Sequence, residues 1–190
     1  PILGELSDIY GRKTVMQISI GGTVVSTLIF ALGLVTTSIP LLFISRTVNG
    51  LTGGLISVAQ ATIADISDET NKSRNFGLIG AAFGAGFILG PTIGGLLSSG
   101  LLPFLTATTP FLFAAALSTA SIIYLRYALE ETSPMEDRKV NWSKPLTQVR
   151  KGLALPGLRK LFATNLMYFS GFSFFTTFIP VYLVENFGFR

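Results

Sequence analysis

The sequence predicts an all-α, polytopic transmembrane helix bundle, and three observations carry that expectation. Four long stretches hold no charged residue: Thr14 to Ser45, Thr47 to Ala64, Asn75 to Leu125 and Leu161 to Val184. The mean hydropathy is +0.59 and 13% of residues are charged, against about 25% in soluble domains. Lysine and arginine gather on one side once the stretches are laid out as antiparallel crossings. A helix needs about 20 mainly apolar residues to cross the hydrocarbon core, so the stretches hold about five crossings and leave only loops outside.

Taken in order, Gly4 to Lys13 reads as a tight polar turn bounded by glycines, with Asp8 and Arg12 bringing opposite charges together. The first crossing runs from Thr14 to Val35. A short uncharged turn follows at Thr36 to Pro40, where Ser38 suits a helix cap and Pro40 the first helical turn. The second crossing, Leu41 to Ala64, returns antiparallel, and Asp65 to Arg74 is a polar loop. The third crossing is Phe76 to Leu97. After the uncharged turn Ser98 to Thr109, Thr109-Pro110 starts the fourth, which ends near Arg126. Between Glu130 and Lys160 the composition turns charged and polar, and Pro134, Pro145 and Pro156 break any long helix. Inside that linker Leu146, Val149 and Leu153 share a helical face, which fits either a short basic helix on the membrane surface or a disordered basic segment. The fifth crossing, Leu161 to Val184, is rich in phenylalanine.

Parity sets the orientation. Arg12, Lys13, Lys72, Arg74, Arg126, Arg138, Lys139, Lys144, Arg150, Lys151, Arg159 and Lys160 fall on one side, and the two opposite turns have no positive charge. By the positive-inside rule that side is the cytoplasm. The net charge of +4 is then an insertion signal, and no nucleic-acid partner is needed to explain it. The chain has no cysteine and no histidine, which excludes disulfides and every nucleophile or metal site built on them. The crossings also carry no Asp or Glu, and no phosphate-binding glycine loop is present, so neither an enzyme nor an ATP-driven pump is expected. Pro1 stands in place of an initiator Met and leads straight into a cytoplasm-type turn, so a fragment without a signal peptide is expected.

Two features inside the crossings point to function. Arg46 lies about six residues into the second crossing, where a charge costs several kcal/mol unless it pairs, meets water or snorkels to the nearby outer surface. Asn49 and Gly50 follow it closely. In the third crossing Gly86, Gly90 and Gly94 repeat every four residues and line one face, beside Pro91 and Gly95. Such a row permits close backbone contact with a neighbouring helix, and the proline removes a backbone donor near it.

Gly4, Leu6, Asp8, Gly11, Arg12 and Lys13 stand at the spacing of the signature loop between the second and third helices of the major facilitator superfamily, although Ile9 replaces a basic residue many members carry. Arg46 to Gly50 resembles the arginine motif of that family's fourth helix, and Gly86 to Gly95 resembles its antiporter motif at every fixed position. The resemblance implies part of a twelve-helix fold built from two six-helix halves. Residues 1–13 would be the end of the second helix and the cytoplasmic signature loop, 14–128 helices three to six of the N-terminal bundle, 129–160 the inter-bundle linker, and 161–190 the first helix of the C-terminal bundle. Relatives pair the loop arginine, here Arg12, with an acid at the position of Asp65, and set the loop aspartate, here Asp8, against a helix of the other bundle; with Gly4, Gly11, Lys13 and Arg74 these form the implied gating loop. Arg46, Asn49 and Gly50 would serve the central cavity near a titrating carboxylate, and Gly86, Gly90, Pro91, Gly94 and Gly95 the contact between bundles. The implied function is secondary active transport by alternating access, with proton-coupled efflux of small amphipathic or drug-like molecules. A uniporter or symporter of a small metabolite, or a transporter-like receptor that moves nothing, are the alternatives. The implied partners are a small-molecule substrate, the lipid bilayer and the remaining helices of the same transporter, a monomer in the bacterial inner membrane, with the proton as driving ion and no cofactor.

Overall fold

The computed structural model describes residues 2–132, 147 and 151–188. The described residues form helices and no strand. The helices are α1 (Ile2–Tyr10), α2 (Arg12–Val35), α3 (Ile39–Thr52), α4 (Leu55–Asp65), α5 (Lys72–Ser98), α6 (Thr109–Ala128) and α7 (Pro156–Phe187). Five helical stretches are long and apolar enough to cross a membrane: Arg12–Val35, Ile39–Asp65, Lys72–Ser98, Thr109–Ala128 and Gly157–Phe187. The expected number and order of crossings are therefore present, in an all-α polytopic bundle.

The chain divides into two compact units, Pro1–Val140 and Asn141–Arg190. In the first, α2 is the central helix, packing against α1, α3, α4 and α6. Its inward residues are mostly small: Ser19, Ser26, Ala31 and Gly33 are buried alongside Val15 and Ile20. Close approach follows from that choice. A Cβ added at Gly22 would run into the Thr52 side chain, so α2 and α3 meet at van der Waals contact there. In hydrocarbon no hydrophobic drive separates lipid from leucine, so packing and interhelical hydrogen bonds hold such a pair. Ser45 Oγ donates to the Ser26 carbonyl at 2.8 Å, and Asn49 Nδ2 donates to Ser26 Oγ at 3.0 Å.

The structure corrects two local expectations. Gly4 to Lys13 is not an open turn: the chain is helical through Tyr10, and the break is confined to Gly11, at φ 92°. The alternation of apolar Leu3, Leu6 and Tyr10 gives this segment a helical face, lined against Thr14, Val15 and Ile18 of α2. The second crossing is also not continuous. Gly53 and Gly54 interrupt it between α3 and α4, where a side chain at Gly54 would collide with Leu3 of α1. Two successive glycines make helix weak there, and close approach of α1 forbids anything larger.

The α2–α3 turn closes with a Schellman pattern: Ser38 N–H donates to the Gly33 carbonyl and Thr37 N–H to that of Leu34. Thr37 takes the left-handed conformation usually left to glycine, at φ 50°. Ser38 caps α3 by position only, without a side-chain hydrogen bond, and Pro40 lies in the first turn as expected. At α6 the cap position falls on Thr108, and Thr109 Oγ1 instead accepts the Thr106 N–H at 2.9 Å.

No residue in the apolar stretches of α5 and α7 is fully buried within the described structure. Large apolar faces left open require lipid or further helices around them. In the second unit, α7 carries an aromatic run, with Phe174 tilted against Phe178, Tyr168 edge-on to Phe169 and stacked with Phe172, and ends at Gly188 in the left-handed conformation. Of the expected linker, 147, 151–154 and 156–160 are helical, the last stretch being the start of α7, which begins at Pro156 and not at Leu161; Leu146 and Val149 of the proposed surface face lie outside the described residues.

Candidate functional site

Gly11 sits between α1 and α2 with backbone angles that side chains rarely adopt, so the helix direction changes in one residue. Arg12 consequently begins α2 while its side chain reaches back along α1. Its Nη1 lies 2.6 Å from Asp8 Oδ1 and donates to Ser7 Oγ at 2.6 Å. Its Nε donates to Asp65 Oδ2 at 3.0 Å, at the last residue of α4. Ser7 Oγ in turn donates to the Gly4 carbonyl at 2.7 Å.

One guanidinium therefore ties three helices, α1, α2 and α4, at one end of the bundle. The Arg12 side chain is 12% exposed, whereas Asp8 and Asp65 are 34% and 31% exposed. Solvent at the acids screens each pair to about 1 kcal/mol or less. Each pair is therefore weak on its own, while the arginine itself stays sheltered between the two acids. The planar fork, with donors in several directions, makes arginine the residue that can engage both acids at once.

Glu131, just beyond α6, is a member of this cluster that sequence reasoning missed. Its carboxylate accepts the Arg12 N–H at 2.7 Å and the Lys13 N–H at 3.2 Å, and Lys13 Nζ donates to the Arg126 carbonyl at 2.8 Å. The partners are separated by more than a hundred residues, so no local pattern announces them. The available signal is an acidic pair, Glu130-Glu131, among the basic residues that follow the fourth crossing. Arg74 is not drawn in: it is exposed in the first turn of α5, and among the described residues it pairs with none of Asp8, Arg12 or Asp65.

The second group lies within the crossings. The Arg46 guanidinium stacks over the Phe30 ring, 4.4 Å from its centre, and Phe30 packs on Phe111 with centroids 4.6 Å apart. An aromatic face is thus the partner of this arginine in the structure, a cation–π contact worth about 0.5–2 kcal/mol. Asn49, one turn further along α3, reaches Ser26 of the same helix α2, and Gly50 supplies its carbonyl to Gly53 N–H at the end of α3. Arg46 and Asn49 therefore both join α3 to α2, at successive turns.

The glycines of α5 are open. A Cβ at Gly86, Gly90, Gly94 or Gly95 meets nothing within 4 Å. Gly86, Gly90 and Gly94 border a groove of about 400 Å³ shared with Pro110, Phe113, Ala114 and Leu117 of α6. Pro91 lies inside the same helix. Among the described residues no three Asp or Glu side chains gather in a way that could hold a metal ion.

A family model described as Major Facilitator Superfamily matches residues 1–190. The chain is 39% identical over 165 residues to the class G tetracycline resistance protein of Vibrio anguillarum, covering 86% of this chain and 40% of that protein. It is 37% identical over 138 residues to the class C tetracycline resistance protein of Escherichia coli, covering 73% of this chain and 33% of that one. The crystal structure of the human organic anion transporter MFSD10 (TETRAN) superposes with a TM-score of 0.60 at 28% identity, over 74% of this chain and 30% of that one. The chain thus spans two fifths or less of the length of these relatives.

Proposed function

The chain belongs to the Major Facilitator Superfamily, and from that premise we propose that the whole protein is a secondary active transporter that exports small amphipathic, drug-like molecules in exchange for protons. The observation that carries the efflux reading is the likeness to tetracycline resistance proteins across most of this chain. Alternating access is supported by the Arg12 cluster, whose pairs across α1, α2 and α4 are weak enough to exchange during a cycle. The acids of the described crossings, Asp65 and Glu185, lie at the helix ends, so the proton carrier belongs to helices outside this chain, and Arg46 acts by biasing that carboxylate. The open glycine row on α5 suits a second bundle that approaches and leaves it. The protein would be neither an enzyme nor cofactor-dependent, and would act as a monomer in the bacterial inner membrane.

A second reading, transport of a small organic anion, is favoured by Arg46 and by the likeness to MFSD10. Expression of the full-length protein in a tetracycline-sensitive bacterium separates the two. Efflux predicts lowered tetracycline accumulation that a protonophore restores, and accumulation equal to the empty-vector strain would overturn the drug reading.

A further inference from the structure

We propose that Glu131 is a positioning residue for the Arg12 cluster, fixing the start of α2 so that the guanidinium meets Asp8 and Asp65 together. The proposal rests on the geometry alone and needs no assumption about a substrate. Helix α2 begins directly after Gly11, and no side chain of its own N-cap residue can satisfy its first amides, because that residue is glycine. Glu131 supplies both oxygens instead, at 2.7 Å to Arg12 N–H and 3.2 Å to Lys13 N–H. Its negative charge also sits where the helix dipole favours an anion.

The fit around Gly11 is what turns a cap into a positioning device. A Cβ at Gly11 would run into the Glu131 carboxylate, so the glycine is needed for the carboxylate to lie flat against the chain reversal. Gly11 at φ 92° has no preferred well of its own to hold it there. The direction of α2, and so the origin of the Arg12 side chain, is set from outside by a residue that follows α6. Lys13 reinforces the same junction through the Arg126 carbonyl. The segment leaving α6 is thereby joined to the cluster at the start of α2, so its position bears on where the Arg12 side chain begins.

The test is amide hydrogen exchange on the full-length protein in lipid nanodiscs, following segments 9–16, 62–68 and, as a distant control, 24–34. Losing a cap of this kind should speed exchange at Arg12 and Lys13 by about fivefold in Glu131→Ala. Positioning further predicts faster exchange at 62–68, where Asp65 loses its partner, with 24–34 unchanged. In an Arg12→Ala background, Glu131→Ala should add nothing at 62–68, and Glu131→Gln, which keeps one acceptor oxygen, should fall between wild type and Ala. Unchanged exchange at 62–68 in Glu131→Ala, or a further rise there in the Arg12→Ala background, would overturn the proposal. If Glu131→Ala loosens the control segment as well, Glu131→Gln decides: a rise confined to 9–16 and 62–68 supports positioning, and any other pattern refutes it.

Discussion

The Arg46 guanidinium lies over the Phe30 ring at 4.4 Å, so α3's one charged residue is held by an aromatic face of α2. Phe30→Leu keeps an apolar side chain and removes that face. In the full-length protein it should cut transport by about twofold to thirtyfold, the worth of a cation–π contact of this kind. Arg46→Ala should abolish proton-driven flux, and Arg46→Lys should impair it strongly because the planar group is lost. Normal proton-coupled flux in Arg46→Ala would make the residue a surface arginine with no part in coupling.

The Arg12–Asp65 pair should behave as a unit. Arg12→Ala and Asp65→Ala each leave a charge without its partner, so the double variant should lose about as much transport as either single one, with a coupling of about 1 kcal/mol. Losses that multiply would show the two side chains to act independently despite their 3.0 Å contact.

Glycine replacements should separate packing inside this bundle from contact beyond it. Gly22→Leu places bulk against Thr52 and should lower the thermal stability of the full-length protein by several degrees. A Cβ added at Gly90 meets nothing within 4 Å and the site borders an open groove, so in Gly90→Leu stability should hold while transport falls at least tenfold through a helix outside this chain. Full activity in Gly90→Leu would show that no helix closes on that row.

The fold was legible because its signals are regional. Twenty or more apolar residues in a row and one-sided lysines and arginines survive any local error, so the five crossings could be placed within a few residues of their helices. Local breaks were harder. Gly4 and Gly11 look alike in sequence, yet only Gly11 leaves the helical region, because Leu3 and Leu6 set a half-buried helical face beside Val15 and Ile18 of α2. Gly53-Gly54 could have been read as a break in the second crossing, but the reason for it is Leu3, some fifty residues away. At the site, Asp8, Arg12 and Asp65 were visible through the family pattern. Glu131 and Phe30 were not, since a carboxylate capping a distant helix and an aromatic face under an arginine leave no spacing to find. The expected place of Arg74 in the gating loop finds no contact among the described residues.

Orientation can be checked with single cysteines, because this chain has none of its own. Single cysteines at Ser38 and Gly100 should react with an impermeant maleimide added outside intact cells, and one at Ser73 should react only after the membrane is opened. The reverse pattern would invert the topology and place the Arg12 cluster outside.

Proton-coupled flux in a purified system tests the account most directly. Liposomes carrying the full-length protein, with an acidic lumen in neutral buffer, should accumulate tetracycline faster and further than protein-free liposomes. A protonophore should abolish the difference, and so should Arg46→Ala. Uptake by the wild-type protein that matches the protein-free control, or that is unchanged when the proton gradient is collapsed, would contradict it.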